Sequence, residues 1–168
     1  MSMSPTRILT RSAIRSDAVA LAAIYNQGIE DRIATFETRL RTPEDVEQAL
    51  FSRPARYPSV VAEADGAVRA VAWCSEYRSR QCYEGVAEFS VYTERAFRGR
   101  GFGHAVMAAL LQAAADQGFW KLVSRVFPEN AGSRRLLAGL GFREVGIYRR
   151  HGRLDGQWKD CVIVEKLI

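Results

Sequence analysis

The sequence predicts one α+β domain over residues 1–168, a mixed and mostly antiparallel central sheet flanked by helices. Composition is the first reason: 48% hydrophobic and 26% charged residues give a chain of this length enough apolar material for its own core. Periodicity is the second, because helical and extended repeats alternate in the irregular order β-α-α-β-β-β-α-β-α-β-β rather than in strict βαβ units. The third is scatter: the 13 Gly and 5 Pro follow no period and no heptad persists, which excludes a collagen-like repeat, a coiled coil and a disordered tail.

Each element has its own signal. Arg7 to Ser12 reads as a strand, after which Ser16 caps a helix with Val19, Ala22, Ala23 and Ile24 on its apolar stripe and Gly28 as its end. Thr42-Pro43-Glu44-Asp45 starts a second helix running to about Phe51: Thr42 caps free amides, Pro43 suits the first turn and the acids complement the dipole. Pro54 and Pro58 force a loop. Extended periodicity then covers Ser59 to Ala64, a turn at Asp65-Gly66, Val68 to Tyr77 and Tyr83 to Tyr92, an antiparallel meander. Gly101 to Gln117 is amphipathic, with Val106, Met107, Leu110, Leu111 and Ala114 on one side and Gly118 closing it. Lys121 to Val126 is a strand, Asn130 to Leu140 a short helix ended by Gly141, and Arg143 to Arg150 with Gln157 to Ile168 a hairpin across Leu154-Asp155-Gly156.

The formal charge of +5 favours an anionic partner, whether nucleic acid, anionic lipid or a polyphosphate cofactor, and does not choose among them. Interleaved Arg and Glu or Asp equally suit a solvated surface. The apolar stretch Phe102 to Ala115 is broken by His104 and Gln112 and is too short to span a bilayer, and Met1 to Ser12 has no signal-peptide pattern. A cytoplasmic protein without membrane association is expected. Cys74, Cys82 and Cys161 fit neither a metal cluster nor a paired framework, so they are expected to be free thiols, with no metal.

Arg98-Gly99-Arg100-Gly101-Phe102-Gly103 carries the strongest chemical signal, because it lies between a strand and the start of the longest helix. Glycines let a phosphate approach the backbone, the unpaired amides of the first turn point at it, and Arg98 and Arg100 add charge. A dinucleotide fingerprint from Gly99 would need Gly where His104 stands, and a Walker loop needs a Gly-Lys-Ser/Thr that is absent, so an anion-binding loop of another kind or a plain glycine turn remains. In Val86 to Tyr92, alternation puts Glu88, Ser90 and Tyr92 on one face. A carboxylate in a central strand is costly unless that face lines a wet cavity, so Glu88 either lines such a cavity or is half of an edge-strand ion pair with an Arg. Arg78 and Arg80, with Tyr83, fall on the loop before that strand, where they either bind an anionic group or are simply solvated.

These motifs resemble the GNAT acyltransferase superfamily. Arg98, Gly101 and Gly103 match its Arg-x-x-Gly-x-Gly acyl-CoA loop, and Asn130 before the helix to Leu140-Gly141-Phe142 matches its second block. Within it, Tyr57-Pro58, Val61-Ala62-Glu63, Asp65-Gly66, Arg80, Tyr83, Ala87-Glu88, Val91-Tyr92 and Gly156-x-Trp158-x-Asp160 resemble the phosphinothricin, methionine sulfoximine and arsinothricin N-acetyltransferases. The resemblance implies a GNAT fold and acetyl-CoA as co-substrate, with its pyrophosphate on the loop from Arg98 to His104. Pantetheine would lie along Val91, Tyr92 and Thr93 with Asn130 touching it. Glu88 would be the general base, Arg78, Arg80 and Tyr83 would bind a small amino-acid-like acceptor, and Phe36 would close the pocket unless it is core. A homodimer is implied as well. One position departs: where relatives carry a Tyr or His as general acid, this chain has Leu137, leaving water, Tyr92 or an unassisted thiolate to finish the reaction. His151 reads as a solvated loop residue. Acetylation of a protein or peptide amine, and a basic nucleic-acid-binding module, are the rival readings; nucleic acid is not the expected partner.

Overall fold

The computed structural model describes residues 6–168. The chain order is β1 (Leu9–Ser12), α1 (Ala18–Asp31), α2 (Pro43–Phe51), β2 (Ser59–Ala64), β3 (Ala67–Glu76), β4 (Val86–Thr93), α3 (Phe102–Asp116), β5 (Lys121–Val126), α4 (Ala131–Gly139), β6 (Arg143–Leu154) and β7 (Gln157–Leu167). Short 3₁₀ turns at Arg15–Asp17, Gln81–Tyr83 and Arg95–Phe97 interrupt it. One seven-stranded sheet results, in the order β1-β2-β3-β4-β5-β7-β6. Every pairing is antiparallel except β4 with β5.

Helices cover both faces. On one, α3 and α4 bury Phe102, Val106, Met107, Leu110 and Leu137 against Phe89, Leu122, Val162 and Val164. On the other, Leu21, Ala22 and Ile24 of α1 and Val46 of α2 pack on Val61, Val71, Trp73 and Tyr92. Fully burying a side chain such as Phe102, 1% exposed, contributes about 1.5–3 kcal/mol, so the sheet is fixed from both sides.

The start of α2 follows its sequence signal: Thr42 Oγ1 accepts from Asp45 N–H at 3.1 Å while the Asp45 carboxylate accepts from Thr42 N–H at 2.9 Å. Elsewhere the boundaries move. Ser16 is not a helix cap; it sits inside the 3₁₀ turn, where the Asp17 carboxylate instead accepts from Ile14 N–H at 2.8 Å. Gly28 does not end α1, which runs on to Asp31 and stops at a left-handed Arg32 with φ 59°. The glycine is there for space: a Cβ on it would lie 2.7 Å from the Tyr92 ring carbons. Tyr83 lies in a 3₁₀ turn, so β4 begins only at Val86, and β6 extends past Arg150 to Leu154.

Asp17 is the one buried charged residue among those described, 8% exposed, and Arg11 grips it with two hydrogen bonds of 2.8 and 3.0 Å. The Arg11 hydrogen bonds, against the opposing cost of burial and aided by Ile14 N–H, hold this carboxyl below its ordinary value. A depressed carboxyl stabilises the fold above its unfolded pKa, and that stability is lost as pH falls through the folded value. Asp17→Asn is therefore expected to cost about 1–3 kcal/mol at neutral pH. In urea melts, the gap between mutant and wild type should close as the solution is acidified.

Candidate active site

The site is built where the sheet comes apart. β4 and β5 pair only at Val86–Lys121, Ala87–Leu122 and Glu88–Val123, and beyond Glu88 they diverge. Ser124 Oγ caps the first orphaned acceptor, Phe89 O, at 2.9 Å. The β5-facing main chain from Ser90 to Thr93 is left without a strand partner, although the other edge of β4 stays paired to β3 as far as Thr93. A ligand with amide groups can use such an edge as a strand would.

The fork opens into a cleft of about 840 Å³ lined by Val91, Tyr92, Thr93, Arg98, Gly99, Gly101, Gly103, His104 and Asn130, together with Asp31, Glu129 and Arg135. Nine residues singled out in the sequence thus converge on one cavity. Gly99 and Gly101 take φ of +71° and +90°, left-handed values open to glycine, and a Cβ on Gly99 would meet nothing within 4 Å. Hydrogen bonding to the loop carbonyl begins with Ala105 N–H on Gly101 O at 3.0 Å, so the amides of Phe102, Gly103 and His104 form the unpaired first turn of α3. An open glycine cradle under three free amides at a helix N-terminus fits a pyrophosphate.

Two of the loop side chains turn away from this cradle. Phe102 puts its side chain into the core against Phe97, with ring centroids 5.4 Å apart, so only its main chain is available to a ligand. Arg100 lies over the Phe97 ring, 4.6 Å from its centroid, and does not line the cleft. Arg98 does line it, but its Nη1 lies 2.6 Å from Asp31 Oδ2 and its Nε donates to Thr93 O at 3.2 Å. Burial acts to raise the Asp31 carboxyl, but hydrogen bonds from Arg95 and Arg98 outweigh it and hold it low. A phosphate arriving at this loop would therefore have to share Arg98 with Asp31. Asn130 caps α4 through its Oδ1, which accepts from Ser133 N–H at 3.2 Å, leaving its Nδ2 for a ligand.

Glu88 stands at the base of the fork with its side chain about one-third exposed (32%), and Arg125 Nη2 donates to its Oε1 at 3.1 Å. The ion pair that the sequence allowed for Glu88 is therefore present, and Glu88 is not among the residues lining either large cavity. Arg78 rests on the Tyr77 ring at 5.2 Å, and a hydrogen bond to Tyr77, with smaller contributions from Tyr83 and Tyr148, raises its guanidinium. Arg80 is exposed and begins the 3₁₀ turn that holds Tyr83. Phe36 is half-buried, edge-on to Phe127 with centroids 4.9 Å apart and packed on Gly152, so it lines neither large cavity.

A second cavity of about 610 Å³ lies between α1, α2 and β3, walled by Leu21, Tyr25, Val46, Trp73 and Arg53 and reaching Ser75, the cross-strand partner of Glu88. Arg53 is occupied there by main-chain oxygens of Leu50, Cys74 and Tyr57 and by Ser59 Oγ.

No general acid stands at Leu137, which is 2% exposed in the core. Burial, foremost, raises the phenol of Tyr92, with Thr35 opposing through a hydrogen bond, which makes it a poorer proton donor. Burial also pushes the Cys74 thiol up to about 12 and raises that of Cys161, so neither is set up as a nucleophile.

Sequence reasoning missed Arg125; His151 is exposed, as read from the sequence, but it stands in β6 rather than in a loop. Arg125 Nη1 and His151 Nε2 lie 3.2 Å apart, extending the Glu88 pair to β6. His151 gets there by a bulge: Arg149, Arg150 and His151 lie between the Tyr148–Cys161 and Gly152–Lys159 pairs, opposite Asp160 alone. The Asp160 carboxylate pins it, accepting from Arg150 N–H at 2.8 Å and from Arg149 Nη1 at 3.2 Å. The period of β5 in the sequence hints at Arg125, which alternates onto the face of Val123, but no local signal announces the bulge.

Among the described residues no helix is long and apolar enough to cross a membrane, and no group of three or more His, Cys, Asp or Glu is placed to hold a metal. Residues 22–142 match the acetyltransferase (GNAT) family model. A phosphinothricin N-acetyltransferase of Streptomyces viridochromogenes is 32% identical over 160 residues, 94% of this chain and 87% of that one. Among solved structures, the ribosomal-protein-alanine N-acetyltransferase of Brucella melitensis superposes with a TM-score of 0.91 at 31% identity, covering 95% of this chain and 99% of that one. The GNAT superfamily phosphinothricin acetyltransferase of Sinorhizobium meliloti in complex with AcCoA gives 0.89 at 26% identity, covering 96% and 88%.

Proposed function

From the premise that the chain belongs to the acetyltransferase (GNAT) family, we propose that it moves an acetyl group from acetyl-CoA directly to the α-amine of a small amino acid or amino-acid-like toxin. The observation that carries this is the fork: Glu88 stands at the last register pair of β4 with β5, and past it the strands part beside a cleft that holds the glycine cradle of α3. Such a cleft suits a long cosubstrate with a diphosphate at one end and a reactive thioester at the other. In this reading the first turn of α3 binds the pyrophosphate, the unpaired edge of β4 aligns the pantetheine amides, and Asn130 Nδ2 touches the same arm.

Glu88 takes a proton from the acceptor ammonium, directly or through a water, and frees the nitrogen lone pair. The amine attacks the thioester carbonyl, a C–N bond forms, and the C–S bond breaks with its electron pair leaving on sulfur. The thiolate then takes a proton from solvent, which its modest basicity permits and which the absence of an acid at Leu137 requires. No covalent enzyme intermediate is needed.

Arg78 and Arg80 support an acceptor with a further anionic group, because planar guanidinium forks suit a carboxylate or phosphinate. The Streptomyces relative, named for phosphinothricin, supports the same class. The Brucella structure, named for a ribosomal protein's alanine, favours a peptide amine as the second reading. In this reading the protein works in the cytoplasm as a homodimer, for which the exposed Val145 and Ile147 of edge strand β6 offer an apolar surface. A thiol-release assay with acetyl-CoA tests the acceptor. Phosphinothricin, methionine sulfoximine and related free amino acids should release CoA, and turnover confined to peptide amines would transfer the assignment to the second reading.

A further inference from the structure

We infer that Arg125 is the residue that holds the acceptor's α-carboxylate and so makes the enzyme select free α-amino acids. This rests on the acetyltransferase reading above and deepens it. Guanidinium carries five N–H donors, and among the described residues Arg125 commits one to Glu88 Oε1 at 3.1 Å and one toward His151 Nε2 at 3.2 Å. Three remain open on a side chain that is 48% exposed at the mouth of the fork.

The pair matches its ligand in charge and spacing. Glu88 and Arg125 set a carboxylate beside a guanidinium, and an α-amino acid sets an ammonium two bonds from a carboxylate. Laid antiparallel, the ammonium meets Glu88 and the carboxylate meets Arg125, so one ion pair both positions the nucleophile and checks what is attached to it. A lysine side-chain amine has no adjoining carboxylate, and a peptide N-terminus offers a neutral amide in its place.

The surroundings keep Arg125 in that pose. Its β5 register is fixed opposite Ile163 of β7, and His151 is brought to it by the bulge that Asp160 pins. That so much local structure converges on an exposed arginine is hard to explain by an ion pair alone, since exposed pairs of this kind contribute about 0–1 kcal/mol to stability. With the α-carboxylate on Arg125, Arg78 and Arg80 are left for the acceptor's distal group.

The experiment compares L-phosphinothricin with its α-carboxamide in wild type, Arg125→Gln and Arg125→Lys, after thermal melts establish that each variant is folded. Wild type should prefer the free acid in kcat/KM by on the order of 100-fold. Arg125→Gln should lower kcat/KM for the acid by a similar factor and change that for the carboxamide by less than about threefold, collapsing the preference. Arg125→Lys should fall between them, keeping charge and losing the planar fork. If Arg125 merely steadies Glu88, both acceptors decline together and the preference survives, which overturns the inference. A wild type indifferent to the carboxamide overturns it while leaving the acetyltransferase reading intact, and one that uses only peptide amines overturns both.

Discussion

Glu88→Gln is expected to lower turnover by about 10²- to 10⁴-fold, the range for a lost general base, with CoA affinity unchanged. The amide keeps the shape of the side chain and an oxygen for the 3.1 Å hydrogen bond from Arg125, so the fork itself is preserved. What disappears is the capacity to accept the ammonium proton. Residual turnover should climb with pH, as the acceptor amine loses its own proton to solvent before binding. Stopped-flow or steady-state thiol release, beside a calorimetric CoA titration, separates the two effects. A variant that turns over near the wild-type rate at neutral pH would leave Glu88 as nothing more than the partner of Arg125.

Gly101→Asp is expected to weaken CoA binding by on the order of 100-fold, about 2.7 kcal/mol. Space is not the obstacle, since a Cβ there would meet only Ile8 Cδ1, at 3.7 Å. Conformation and charge are. At φ +90° an L side chain is strained by about 1–2 kcal/mol, which appears mainly as lost stability. The added carboxylate occupies the anion cradle at the start of α3 and repels the diphosphate there, which appears as lost affinity. Calorimetry on the folded variant reads the second effect, and unchanged affinity would remove the pyrophosphate from this loop.

Local chemistry made much of this fold legible in the sequence. Asp65-Gly66 and Asp155-Gly156 are two-residue hairpin loops with positive φ at both positions (53° and 74°; 50° and 78°), the conformation those residue pairs favour. The box at Thr42 likewise named the start of α2. The cleft's lining was legible for a related reason, because the glycine loop at the start of α3 is written in consecutive residues. Long-range decisions were not. Gly28 looks like a helix stop until Tyr92 is laid across it, and nothing near β7 says that it inserts between β5 and β6. Arg125 meets Glu88 only once the parallel register puts Val123 opposite Glu88, and it meets His151 only through a bulge far down the chain. Phe102 erred the other way: in the middle of a ligand motif, its side chain obeys the core.

The fork between β4 and β5 also bears on how long the molecule lasts. It is the single parallel joint in the sheet, three register pairs long, and it unites an antiparallel block of β1 to β4 with another of β5 to β7. Every other junction is sealed by backbone pairing that the chain supplies for itself. This one leaves the edge of β4 beyond Glu88 without a strand partner, open to completion by a ligand. A ligand bound there at a hundred times its dissociation constant stabilises the native state by about 2.7 kcal/mol. A ligand held along that edge would thus guard the protein against unfolding in proportion to its own concentration.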